Sequence, residues 1–179
     1  MMYWTDWGAN PKIEKAEMDG SGRRSIVTGN LAWPNGLTLD QATNRLFWAD
    51  AKLKIIEMSD LDGGNRQTVL PSTAGIHPYG LTIYEDIIYW TDWNSQSVIS
   101  YNATSGQMNI VIPDLQKPMD IHVFDPSLIL SGKSIASFLS SRSKQSFIKA
   151  INYGQIYIKK SYSAAGQAII GPLHFVSSV

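Results

Sequence analysis

The 179-residue sequence contains no cysteine. That excludes a disulfide framework and a thiolate metal site. No apolar run reaches the roughly 20 residues that cross a bilayer as a helix. No charged-then-apolar leader opens the sequence. Acid is missing from the whole C-terminal stretch, where Asp125 is the last carboxylate residue. Tryptophan is missing there too, since all six lie between Trp4 and Trp93. The net charge of zero therefore joins two unlike parts. Residues 1–126 hold nine Lys+Arg against fifteen Asp+Glu, net −6, and residues 127–179 hold six Lys+Arg and no acid, net +6. A balanced total argues against steering toward nucleic acid or an anionic membrane. Six positive charges over 53 residues are too dilute for a polybasic patch. With 44% hydrophobic and 17% charged residues, the composition is that of a folded chain.

What is present is a repeat. Tyr3-Trp4-Thr5-Asp6 returns as Phe47-Trp48-Ala49-Asp50 and as Tyr89-Trp90-Thr91-Asp92, with Trp spacings of 44 and 42. A second signature keeps phase with it. Trp33-Pro34-Asn35-Gly36-Leu37-Thr38-Leu39 returns as His77-Pro78-Tyr79-Gly80-Leu81-Thr82-Ile83, and degraded as Lys117-Pro118-Met119-Asp120-Ile121-His122-Val123. A third, Met18-Asp19-Gly20, returns as Leu61-Asp62-Gly63 and weakly as Thr104-Ser105-Gly106. Each period reads as four short strands, in the second copy Gly36–Leu39, Arg45–Trp48, Lys54–Met58 and Gln67–Leu70, with turn residues between. No long helical stripe occurs before Asp125. Four strands per roughly 42 residues is the period of a β-propeller blade. The fold class is thus all-β.

The motif residues have mechanical reasons to recur. Tyr3, Trp4, Phe47, Trp48, Tyr89 and Trp90 offer large faces for packing one blade on the next. Asp6, Asp50 and Asp92 end a strand, where a carboxylate can accept backbone N–H bonds. Pro-Asn-Gly and Pro-Tyr-Gly suit tight turns entering an inner strand, with Gly allowing close backbone approach.

These blocks resemble the low-density lipoprotein receptor class B, or YWTD, repeat. The run from Tyr3-Trp4-Thr5-Asp6-Trp7-Gly8 to Met18-Asp19-Gly20 is similar to propellers of low-density-lipoprotein-receptor-related proteins. The resemblance covers about residues 2–125. It implies six repeats closed into one propeller of a receptor ectodomain, followed by a cysteine-rich EGF-like module. It implies ligand uptake or Wnt-type signalling, extracellular protein ligands held on a propeller face, and no catalysis, metal or cofactor. The parent protein would then be an extracellular part of a plasma-membrane receptor.

The sequence departs from that pattern in length. Six blades need roughly 250 residues. Residues 1–29 give three strands without an innermost partner, and 35–69 and 79–112 give two whole blades. Asp120–Phe124 begins a fourth. We therefore expect a partial propeller of about three blades over residues 1–126, a fragment needing the missing blades of its parent. Residues 127–179 are expected to be an unrelated, basic, Ser-rich and poorly ordered tail. Ile148–Lys159 and Ala168–Val176 are apolar enough for strands. Docking of the tail on the acidic repeats, or an evolved binding tail, stays open. A truncated or decoy product without independent function is the alternative reading of the whole chain.

Candidate ligand-binding residues are Trp7, Trp33, His77, Tyr79 and Trp93. Trp7 and Trp93 follow the motif Asp, where a strand has ended, and exposed aromatics are frequent binding anchors. Trp33, His77 and Tyr79 enter the inner strands, in loops that the resemblance places around the central opening. Ordinary packing is the competing role, and for His77 a backbone-bonded turn. Asp120 and His122 share one strand face. They would suit a six-bladed calcium hydrolase only if further ligands joined them. No nucleophile elbow, phosphate loop or metal-spaced His cluster occurs. Asn102-Ala103-Thr104 is a glycosylation sequon in an expected turn.

Overall fold

The computed structural model describes residues 1–124 and the backbone of three later strands, at 146–152, 154–162 and 168–170. The expected boundary at 126/127 and the rest of the expected strand ending at Val176 lie outside the described residues.

The strands form antiparallel sheets in chain order. The first holds β1 (Met2–Asp6), β2 (Lys12–Ala16) and β3 (Arg24–Thr28). The second holds β4 (Pro34–Asp40), β5 (Arg45–Asp50), β6 (Ile55–Asp60) and β7 (Gln67–Leu70). The third holds β8 (Pro78–Tyr84), β9 (Ile87–Asp92), β10 (Ser97–Asn102) and β11 (Met108–Ile112). This is the all-β, partial-propeller arrangement read from the repeat, with one three-stranded sheet and two full blades. The ladder continues past the repeats. β12 (Asp120–Phe124) pairs with β13 (Ser146–Asn152), then β14 (Gly154–Tyr162) and β15 (Ala168–Ile170).

Side-chain alternation along the motif strand builds the layers between blades. Neighbouring strand residues face opposite ways. Trp48 joins Ile13, Val27 and Leu46 between the first and second sheets. Phe47, beside it, joins Ile56, Leu81, Ile88 and Trp90 between the second and third. Tyr89 joins Val98, Ile112 and Ile121 between the third and fourth. The second and third aromatic pairs therefore each grip two blades, the Trp turned back and the Phe or Tyr turned forward. Burying an aromatic of this size stabilises by about 1.5–3 kcal/mol.

The inner strands differ in detail from the turn expected at Pro-x-Gly. Pro34 pairs with Asp50 and Leu37 with Trp48, so Asn35-Gly36 forms a bulge inside β4. Tyr79-Gly80 repeats it in β8. A Cβ on Gly36 would lie 2.5 Å from the Tyr79 carbonyl oxygen, and one on Gly80 2.4 Å from that of Met119. Glycine is needed because successive inner strands nearly touch. The bulges bring Asn35, Gly36, Tyr79 and Gly80 to the wall of one depression, where the candidate site lies.

Candidate functional site

Asp50 and Asp92 organise one end of their blades. Asp50 is fully buried and accepts N–H bonds from Ala32 (2.7 Å), Trp33 (3.1 Å), Lys52 (3.1 Å) and Leu53 (2.9 Å). Asp92 accepts from His77 N–H (2.7 Å), Asn94 N–H (3.0 Å), Ser95 N–H (2.9 Å) and Trp90 Nε1 (3.1 Å). One carboxylate thus holds both the turn after the motif strand and the entry to the inner strand. The Ala51 N–H to Trp33 carbonyl bond (3.0 Å) and the Trp93 N–H to His77 carbonyl bond (3.0 Å) close the same junction. Asp6 accepts from Gly8 N–H (3.0 Å).

These junctions put the five candidate aromatics on one rim, in two groups. Trp7 meets Trp33 edge-on at 6.2 Å, with Lys52 Nζ 4.8 Å over the Trp33 ring. Both indoles stay open to solvent, Trp7 at 57% and Trp33 at 43% exposure. In the second group Trp93 stacks flat on Tyr79 at 4.7 Å and tilts against His77 at 5.8 Å. Trp93 Nε1 donates to the Pro118 carbonyl at 2.7 Å. Trp93 is therefore tied to the loop leading into β12, whereas Trp7 is not so held. The second blade carries buried Ala51 where its neighbours carry these indoles.

Between the groups lies a shallow open depression of about 220 Å³, lined by Thr5, Trp7, Asn35, Tyr79, Met119 and Asp120 among others. Asp120 Oδ2 lies 2.7 Å from His122 Nε2. That hydrogen bond, ahead of other effects, holds the Asp120 carboxyl below its ordinary value. Among the described residues no three His, Asp or Glu side chains converge as a metal site. Aromatic faces, one lysine and one carboxylate are suited to holding a peptide by stacking and charge-assisted hydrogen bonds.

Sequence reasoning missed a second repeated device. Arg23 Nη2 donates to Glu14 at 2.6 Å, and Arg66 Nη2 to Glu57 at 2.6 Å. The two guanidinium groups sit 5.3 Å over Trp4 and 5.4 Å over Trp48. Arg66 also donates to the carbonyls of Gly29 and Asn30, both at 2.8 Å, which ties its blade to the one before. Glu and Arg nine residues apart, twice and in phase, was the available signal. Lys52 gave no such signal, because its partner Trp33 is distant in sequence.

The family described as low-density lipoprotein receptor repeat class B matches residues 1–41, 44–85 and 86–124. The chain belongs to that family. Its class B repeats resemble a vitellogenin receptor of Drosophila melanogaster, 42% identical over 127 residues, 71% of this chain and 6% of the relative. A vitellogenin receptor of Solenopsis invicta is 39% identical over 68% of this chain and 7% of its own length. The low-density lipoprotein receptor-related protein 5-like protein of Homo sapiens is 36% identical over 68% of this chain and 48% of its own. The chain thus spans less than a tenth of two relatives and about half of the third. A solved chain of a nidogen/laminin complex matches with TM-score 0.53 and 37% identity, over 59% of this chain and 40% of that one. Virginiamycin B lyase from Staphylococcus aureus matches 97% of this chain and 52% of its own at TM-score 0.59. Its identity of 16% makes that a likeness of fold alone. No described helix is long and apolar enough to cross a membrane.

Proposed function

We propose that these class B repeats are a piece of a receptor ectodomain propeller that binds extracellular protein ligands on the aromatic rim, without catalysis. The observation carrying this reading is the pairing of two solvent-open indoles, Trp7 and Trp33, beside the depression. Large exposed aromatics next to a concavity are the usual anchors of protein recognition. The relatives' names point the same way, since two are receptors for vitellogenin and a third structure pairs nidogen with laminin. In this reading Trp7 and Trp33 contact the ligand, while Tyr79, Trp93 and His77 shape the far wall. Uptake of ligand or Wnt-type signalling is the role of the parent receptor, in the plasma membrane. Residues 1–126 form the repeat unit, and 127–179 a segment of separate origin. The end of the family match at residue 124 supports that division.

The test is direct binding to the immobilised chain, with purified vitellogenin and a purified laminin fragment as probes. Trp7→Ala with Trp33→Ala is expected to weaken binding at least about tenfold, as loss of a hot spot does. Absence of binding by both probes, or equal binding by the double variant, would overturn the reading.

A further inference from the structure

The β10–β11 hairpin carries the single Asn-x-Ser/Thr sequence in the chain, Asn102-Ala103-Thr104. It stands at the end of the blade opposite the aromatic rim. Ser97 pairs with Asp92 at the rim, and Asn102 pairs with Ile87 five residues further along β10. At about 3.3 Å per residue, that separates Asn102 from the rim level by roughly 17 Å.

The turn uses only one end of the Asn102 amide. Oδ1 accepts the Thr104 N–H at 2.9 Å and the Ser105 N–H at 3.0 Å. Nδ2 has no hydrogen-bond partner among the described residues. Asp60 holds the matching hairpin of the second blade in the same way, accepting from Asp62 and Gly64. A substituent on Nδ2 therefore leaves both turn bonds in place.

The surroundings are open as well. In the second blade the hairpin lies hard against its neighbour, and a Cβ on Gly63 would fall 1.8 Å from the Ile26 carbonyl oxygen. In the third blade the corresponding Gly106 has nothing within 4 Å of its Cβ position. Ala103 and Thr104 are exposed. This hairpin stands clear of the preceding blade.

We infer that Asn102 carries an N-linked glycan, placed on the face opposite the aromatic rim. In that transfer Nδ2 takes C1 of an oligosaccharide from a lipid-linked oligosaccharide diphosphate. The C1–O bond breaks, an N–C1 bond forms, the lipid diphosphate leaves with the bonding pair, and the amide nitrogen loses one proton. The sugar covers the far face and leaves the rim free for a protein partner.

The experiment translates the full chain behind a cleavable secretion leader into microsomal vesicles. One product band of reduced mobility is expected, returned to full mobility by peptide N-glycosidase F, with Asn102 converted to Asp in the released peptide. Thr104→Ala should abolish the shift, and Thr104→Ser should keep it. Both variants retain the Thr104 backbone N–H bond to Asn102, so the turn survives. The control is Asp19→Asn, which creates a sequon in the matching exposed hairpin of the first sheet. A glycan on the Asp19→Asn variant's new site with none on Asn102 would overturn the inference.

Discussion

Thr91 Oγ1 donates to the Met119 carbonyl at 2.9 Å, across the boundary between the third blade and β12. The same hydroxyl accepts the Gly80 N–H at 2.8 Å. Thr5 Oγ1 donates to the Asn35 carbonyl at 3.1 Å across the first boundary. At the middle boundary the motif has Ala49 and no hydroxyl to donate. We expect Thr91→Val to cost about 1–3 kcal/mol, because the Gly80 N–H stays buried without its acceptor. Ala49→Thr should gain up to about 1 kcal/mol by supplying the bond that its neighbours make. Urea midpoints of the two variants would measure both changes.

Gly80→Ala is expected to cost about 1–3 kcal/mol through overpacking, since its new methyl meets the Met119 backbone. Gly106→Ala meets no atom and carries only the strain of φ +71°, about 1 kcal/mol. Thermal denaturation should rank Gly80→Ala below Gly106→Ala. Equal loss at both sites would show that the inner strands can separate without penalty.

The tryptophans should divide by location. Trp90→Ala is expected to cost about 3–5 kcal/mol, because the indole fills the layer between two blades. Trp7→Ala should stay within about 0.5 kcal/mol, as surface changes usually do. A large stability loss at Trp7 would mean that its exposed ring holds the fold and is not kept free for a partner.

Acid should loosen one ion pair between the first two sheets and two carboxylate contacts within the first. Glu14 is held below its ordinary 4.5 chiefly by the hydrogen bond from Arg23. Asp62 is held below its ordinary 3.8 chiefly by Lys15, and Asp19 chiefly by the Ser21 backbone N–H. Near those values the unfolded chain binds more protons than the folded one, so stability rises with pH there. The contribution is complete above the ordinary values and disappears as pH falls below them. Urea midpoints should decline from about pH 4.5 downward. Arg23→Met should make that decline shallower.

Much of this was legible because the repeat recurs in one phase. Three signatures in register gave the strand count, the order and the two whole blades. The bulge at Asn35-Gly36 was not legible, because Pro-x-Gly serves equally as a turn signal and only contact with the next blade decides. The rim was legible as a set of aromatics but not as two groups. The stacking of Trp93 on Tyr79 follows from the bulge, and the exposure of Trp7 from its neighbours in space. The Glu14–Arg23 and Glu57–Arg66 pairs were hidden because ion pairs at spacing nine belong to no helix or hairpin rule. They exist because adjacent strands bring those positions together opposite a tryptophan.

The two-way grip of the Tyr/Phe–Trp pair has a kinetic consequence. When β5 leaves the ribosome, Trp48 already has Ile13 and Val27 to settle on, whereas Phe47 must wait for Leu81 and Ile88. Each blade can therefore half-dock on the one made before it, then finish when the next appears. The bonds that cross boundaries span about one repeat, such as Thr5 to Asn35 at separation 30 and Lys15 to Asp62 at separation 47. Ordering should accordingly run along the chain one blade behind synthesis, and melting should start where a blade has a neighbour on one side alone.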